Sequence, residues 1–298
     1  MVNNIQDLEE YPFQGKYFVL PRNDHYAQQN ERKIHYIDEG SGETIVFVHG
    51  NPTWSFYFRN LCQALRSNYR VVALDHLGCG KSDKPTDYSY CLKNHINNFS
   101  EFMKSLNLNK KVNLFVHDWG GPIGLGWATQ NKDKVKRIIL SNTAAFTSKD
   151  IPKRIALLKT PFLGELCIRK FNLFSRFALY MASYKGLSKA AKKGLLAPYD
   201  SFENRIGVSR FVQDIPISKS HPSFETLKNI EKNLQNLNIP TLLLWGMKDF
   251  CFHSGFLKKW MKVYPHAKKV EFNKAGHYLL EDEFKNVYEE LLGFVKNI

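Results

Sequence analysis

Long apolar runs are missing from this chain: none approaches the roughly 20 residues that cross a bilayer as a helix. Cysteine is scarce. Cys62, Cys79, Cys91, Cys167 and Cys251 are odd in number and contain no CxxC pair. That pattern argues against a disulfide framework or a cysteine zinc site and predicts free thiols in a reducing cytoplasm. Residues 1–10 are polar and acidic, so no signal peptide is expected. There is no HExxH helix, and the ten histidines show no ligand spacing, so no metal is expected. Gly78-Cys79-Gly80-Lys81-Ser82 looks like the end of a phosphate-binding loop, but the leading glycine would fall on Asp75. Gly120, Gly121, Gly124 and Gly126 lack the GxGxxG spacing, so no dinucleotide cofactor is expected either. Acidic residues number 28 against 42 Lys and Arg, giving a net charge of +14. The lysines read as scattered and no nucleic-acid motif accompanies them, so a solvated basic surface is expected rather than a nucleic-acid partner.

What is present is a rhythm. Residues 33–40 alternate and end at a Gly turn, which predicts an early strand. Residues 44–48, 70–74, 113–118, 135–140, 240–245 and 269–272 are apolar runs of strand length. Helical patterns fall over 59–67, 94–106 and 283–296. Strand alternating with helix predicts a mostly parallel, doubly wound α/β sheet. From about residue 147 to 237 the rhythm stops, and aromatic, aliphatic and basic residues recur at helical spacing. The expected organisation is a core over 1–146, a helical cap over 147–237 and the rest of the core over 238–298.

The central run ends in Val116-His117-Asp118-Trp119-Gly120-Gly121. A buried strand that turns at once into a helix needs residues without bulk, and it lifts one side chain clear of the sheet. Here that side chain is Asp118, which a carboxylate of ordinary pKa would present ionised at neutral pH. Asp is also a common helix cap, so the assignment leans on its company. Three other strand ends carry polar residues: His49-Gly50-Asn51, Asp249 and His277. Catalytic groups of open α/β sheets gather at such ends. The order Asp118, Asp249, His277 is that of nucleophile, acid and base in a hydrolase triad. The Asn51 amide and Trp119 indole N–H are donors without acid–base chemistry, suited to a departing anion such as halide or carboxylate. The backbone N–H groups of the same two residues are candidates for an oxyanion hole.

At these residues the chain resembles the haloalkane dehalogenase superfamily of α/β-hydrolases. His49-Gly50-Asn51-Pro52-Thr53, His117-Asp118-Trp119-Gly120-Gly121, Gly246-Met247-Lys248-Asp249 and Gly276-His277 match its pattern, and the likeness covers nearly the whole chain. The resemblance implies an α/β-hydrolase fold with an inserted cap, Asp118 as nucleophile, His277 as base, Asp249 as acid, and Asn51 with Trp119 as the anion-binding pair. An acid after the later strand looks like the third dehalogenase subfamily; where another subfamily has Glu, this chain has Asn142-Thr143-Ala144. Val116 departs from the Gly that many hydrolase elbows carry there. The stretches at 141–146, 196–205 and 211–216 look like the β-lactone decarboxylases of bacterial long-chain olefin biosynthesis. That likeness implies a small hydrophobic substrate, a cis-β-lactone opened by Asp118, and large assemblies with other enzymes of the pathway or with itself. It also makes the basic and aromatic cap residues candidates for docking partner enzymes or the inner membrane surface. Competing readings are a haloalkane dehalogenase, an epoxide hydrolase using Tyr180, Tyr184 or Tyr199 as donors, and a catalytically silent ligand-binding relative.

Overall fold

The computed structural model describes residues 8–21, 31–160 and 162–296. Residues 1–7, on which most of the signal-peptide expectation rests, lie outside that set. Eight strands form one sheet: β1 (Lys16–Val19), β2 (Lys33–Glu39), β3 (Thr44–Val48), β4 (Arg70–Leu74), β5 (Val112–Asp118), β6 (Val135–Thr143), β7 (Thr241–Gly246) and β8 (Lys268–Phe272). Their spatial order is β1-β2-β4-β3-β5-β6-β7-β8. β2 runs antiparallel to β1 and β4, and the remaining pairs are parallel. β3 and β5 are buried at every position, as continuous apolar runs covered on both faces should be.

The covering helices divide between the two faces. On one lie α1 (Arg59–Leu65) and, at the end of the chain, α12 (Phe284–Lys296), preceded by the single turn α11 (Leu279–Asp282). On the other lie α2 (Leu92–Ser105), α3 (Gly120–Ala128), α9 (Phe224–Asn233) and α10 (Ser254–Val263). Phe99, Ile123, Ile230 and Trp260 from those four helices share one apolar core with β3, β5 and β6.

Between β6 and α9 the chain makes five further α-helices: α4 (Lys153–Leu158), α5 (Leu163–Arg169), α6 (Leu173–Met181), α7 (Lys189–Leu196) and α8 (Ile206–Gln213). Ile155, Ile168, Tyr199, Val208 and Val212 give them a small core of their own. α9, which the sequence reading counted with the cap, instead packs on α2 and α3. Its buried stripe of Leu227 and Ile230 faces the sheet side, so the core resumes one helix before the expected boundary at 237. Two elements escaped the sequence pattern. β1 is only four residues long, and its apolar Tyr17-Phe18-Val19 is too short a run to mark a strand by itself. α10 lies between β7 and β8, where Phe256, Leu257 and Trp260 form its inward stripe. Among the described residues no helix is long and apolar enough to cross a membrane.

The elbow depends on close backbone packing. A β-carbon on Gly120 would overlap the Val48 carbonyl of the neighbouring strand end. Backbone cannot swing aside as a flexible side chain can. Gly120→Ala is therefore expected to lower the unfolding free energy by about 2–4 kcal/mol, measured by chemical denaturation.

Candidate active site

β5 ends in a residue that the turn forces into an uncommon conformation. Asp118 has φ +53°, in the left-handed region that a non-glycine residue enters at a cost. The surroundings offset that cost. The Asn51 backbone N–H donates to Asp118 Oδ1 at 2.6 Å, and the Trp119 N–H donates to the same carboxylate. The Thr143 hydroxyl donates to the Asp118 carbonyl oxygen and so ties β6 to the tip of β5. Gly50 is obligatory here, because any side chain on it would occupy the space of the Asp118 carboxylate.

The second carboxylate oxygen, Oδ2, lies 3.7 Å from His277 Nε2. The opposite ring nitrogen, Nδ1, is 2.8 Å from Asp249 Oδ2. The structure thus brings Asp118, His277 and Asp249 into one line, all buried. Burial alone would lower the His277 pKa; Asp249 first, then Asp118, outweigh it and hold it above the ordinary imidazole value. Burial raises the Asp118 pKa, and the charge of His277 with the two backbone N–H groups only partly pulls it back. The carboxylate is therefore more basic than an exposed one.

Asp249 is itself oriented from three sides. Its Oδ1 accepts the Cys251 N–H at 2.6 Å, and its Oδ2 accepts the Asn142 side-chain amide at 2.9 Å as well as His277. Asn142 in turn accepts the Gly246 N–H at 2.8 Å and donates to the Gly246 carbonyl at 3.1 Å. The sequence reading noted Asn142 only for lacking a carboxylate and missed this positioning role. Its place at the end of β6, beside the elbow strand, was the available signal. His117 was also passed over: its Nε2 lies 3.0 Å from the His277 carbonyl oxygen, and burial pushes its pKa well below the ordinary value. A neutral His117 donates there and anchors the His277 loop.

The two anion-donor candidates meet at the same place. Asn51 and Trp119 both border the cavity above Asp118. The Asn51 amide donates to the Val208 carbonyl of α8 at 3.1 Å, which fixes its plane and leaves its second N–H uncommitted. The Trp119 ring leans on Phe211 of the same helix, with centroids 5.3 Å apart. The three tyrosines considered as epoxide donors are elsewhere. Tyr180 and Tyr184 are exposed, Tyr199 donates to the Thr53 carbonyl, and none borders the cavity. The Gly78–Ser82 turn, for its part, wraps a buried carboxylate. Despite burial, which would raise it, the Asp75 pKa is held down to about 2 by His35, His49 and the Lys81 N–H.

The cavity has a volume of about 550 Å3. Its polar floor is Asn51, Asp118, Trp119 and His277, and its walls are mainly apolar, with Leu158, Phe174 and Ile215 from the cap and Phe146 and Phe252 from the core. Among the described residues no group of His, Cys, Asp and Glu is arranged to hold a metal ion. The floor therefore combines a carboxylate at a strand tip, a carboxylate-supported imidazole and uncommitted N–H donors under an apolar vault. Such a set can displace a leaving group at carbon and accept the resulting anion. Because Asp249 is the largest influence raising the His277 pKa, Asp249→Asn is expected to drop that pKa below the ordinary 6.5. NMR titration of the imidazole, assigned with His277→Gln, measures it.

Comparison with known proteins agrees with this architecture. Residues 43–284 match the alpha/beta hydrolase fold family. The chain is 41% identical over 284 residues to a cis-3-alkyl-4-alkyloxetan-2-one decarboxylase of Shewanella oneidensis, covering 93% of this chain and 89% of that protein. It is 30% identical over 292 residues to haloalkane dehalogenase 2 of Mycobacterium bovis, covering 93% of each. The crystal structure of a haloalkane dehalogenase from Bradyrhizobium elkani superposes with a TM-score of 0.84, at 20% identity and with 95% and 98% of the two chains covered. A mostly parallel eight-stranded sheet, a nucleophile-type elbow on its fifth strand and these relatives together establish that the chain belongs to the alpha/beta hydrolase fold family, among the haloalkane dehalogenases and β-lactone decarboxylases.

Proposed function

We propose that this protein is an Asp-nucleophile enzyme that converts long-chain cis-β-lactones to cis-alkenes and carbon dioxide. The observation that carries the reading is the asymmetry of the Asp118 carboxylate. Oδ1 is bound by the Asn51 N–H, while Oδ2 faces His277 at the floor of an apolar cavity. The relatives named cis-3-alkyl-4-alkyloxetan-2-one decarboxylase support the substrate class.

In this reading Oδ2 attacks the ring carbon that bears the lactone oxygen. The C–O bond breaks, and its electron pair leaves on a carboxylate received by the Asn51 amide and the Trp119 indole N–H. The bond between that carboxylate and the adjacent ring carbon then breaks. Its electrons form the alkene as the Asp118 ester bond returns its pair to the enzyme. Displacement inverts one carbon, and antiperiplanar loss of carbon dioxide follows, so cis substituents end on the same side of the alkene. No water and no net proton is consumed. His277 and Asp249 act as a charge partner that keeps Asp118 ionised, and the backbone N–H groups of Asn51 and Trp119 hold the ester carbonyl. Burying each methylene of the substrate contributes about 0.8 kcal/mol, so the apolar walls supply most of the affinity.

A second reading rests on the same geometry and on the dehalogenase relatives. With a haloalkane, halide takes the place of the leaving carboxylate. The ester on Asp118 then needs water, and His277 Nε2 is placed to activate it.

The two readings differ in products. Incubation with a dialkyl cis-β-lactone and with 1-bromobutane, read by gas chromatography and a bromide assay beside Asp118→Ala, is expected to give Asp118-dependent alkene and little bromide. Fast bromide release without alkene overturns the decarboxylase reading. The pH profiles should differ as well. Water activation needs neutral His277, so hydrolytic turnover rises with pH through a value above 6.5, whereas alkene formation needs ionised Asp118 and shows no limb that requires neutral His277. His277→Ala is expected to stop bromide release after one equivalent, while alkene formation persists with its acid limb moved to higher pH.

A further inference from the structure

The sequence reading treated the basic residues as scattered, yet residues 149–193 hold eleven Lys and Arg against two acidic residues, Asp150 and Glu165. This segment builds α4, α5, α6 and the start of α7. Lys153, Lys170, Arg176, Lys189 and Lys193 are exposed on it and face no carboxylate among the described residues. The same helices expose large apolar side chains. Phe162 is 91% exposed, Tyr180 72% and Leu157 62%, with Leu163, Leu166 and Phe177 also about half exposed. Scattered apolar residues on a surface are ordinary; a cluster of six on three packed helices, rimmed by unpaired cations, marks an interaction face.

That face is also the mouth of the cavity. Leu157, Leu163 and Phe177 are exposed to solvent and line the cavity at once. The Arg154 guanidinium lies 2.9 Å from Met181 Sδ and bridges α4 to α6 at the rim. The walls between Asp118 and this opening are mainly apolar, so an alkyl chain of a substrate held at Asp118 has an apolar path to the mouth.

We propose that the α4–α6 face seats on an anionic lipid bilayer, with Phe162, Tyr180 and Leu157 entering the interface and the basic rim meeting lipid headgroups. The substrate then enters the cavity from the membrane, and its chain ends stay in lipid. Anionic lipid is required, because the exposed cations of the same segment supply part of the attraction. The inference rests on the β-lactone reading for its substrate and on the cap surface for its partner.

Vesicle co-sedimentation tests the surface by itself. The full chain is expected to sediment with vesicles of equal parts phosphatidylcholine and phosphatidylglycerol, not with phosphatidylcholine alone, and to be released by high salt. The double substitutions Lys153→Glu with Lys170→Glu, and Phe162→Ser with Tyr180→Ser, each touch only the surface. Each should weaken binding about tenfold or more. Alkene formation from detergent-dispersed lactone should stay unchanged in both, while formation from vesicle-embedded lactone falls with binding. No sedimentation with anionic vesicles, or equal sedimentation of the variants, overturns the proposal. So does loss of a protein assembly in the Phe162→Ser with Tyr180→Ser variant without any vesicle binding, which would make the face a protein interface. If vesicles bind but no lactone reacts, the substrate reading fails and the docking surface stands.

Discussion

The hydrogen bond from the Asn51 backbone N–H to Asp118 Oδ1 is the contact on which the site depends. A carboxylate taken out of water and left unpaired would be neutralised by its own solvation cost. Here β3 and β5, lying side by side, deliver an N–H from the end of one strand to the side chain at the end of the other. The bond fixes which oxygen is held and which faces the cavity. It also explains the small residues around it, since Gly50 and Gly120 keep the two strand ends near enough for the donor to reach.

Burial then sets the electrostatic balance. An apolar vault raises the basicity of Asp118 and works against its ionised form. His277, whose charged form Asp249 favours, counters that effect without bonding the carboxylate directly, at 3.7 Å. The cap contributes more than shape. α8 receives the Asn51 amide on the Val208 carbonyl and leans Phe211 on Trp119, so both side chains are oriented by a helix of the cap.

Much of this was legible in the sequence because its signals are local. A β5 run that breaks at Asp118 into Gly120-Gly121, and polar residues at other strand ends, announce an elbow and its company without any knowledge of contacts. The less legible parts depend on distance in space. Asn142 carries no charge to mark it, and its role appears only when β6 and β7 lie side by side. α9 has the spacing of a cap helix, and only packing on α2 and α3 assigns it to the core. β1 is too short for patterning to register. The basic face of the cap was diluted by counting over the whole chain, and it stands out only when α4 to α6 are seen together.

Asn142, at the end of β6, and His277, after β8, meet on a single oxygen, Asp249 Oδ2, which follows the strand between them, β7. The orientation of the imidazole therefore rests on two neighbouring strand ends at once, and a displacement of β6 against β7 would turn His277 relative to Asp118.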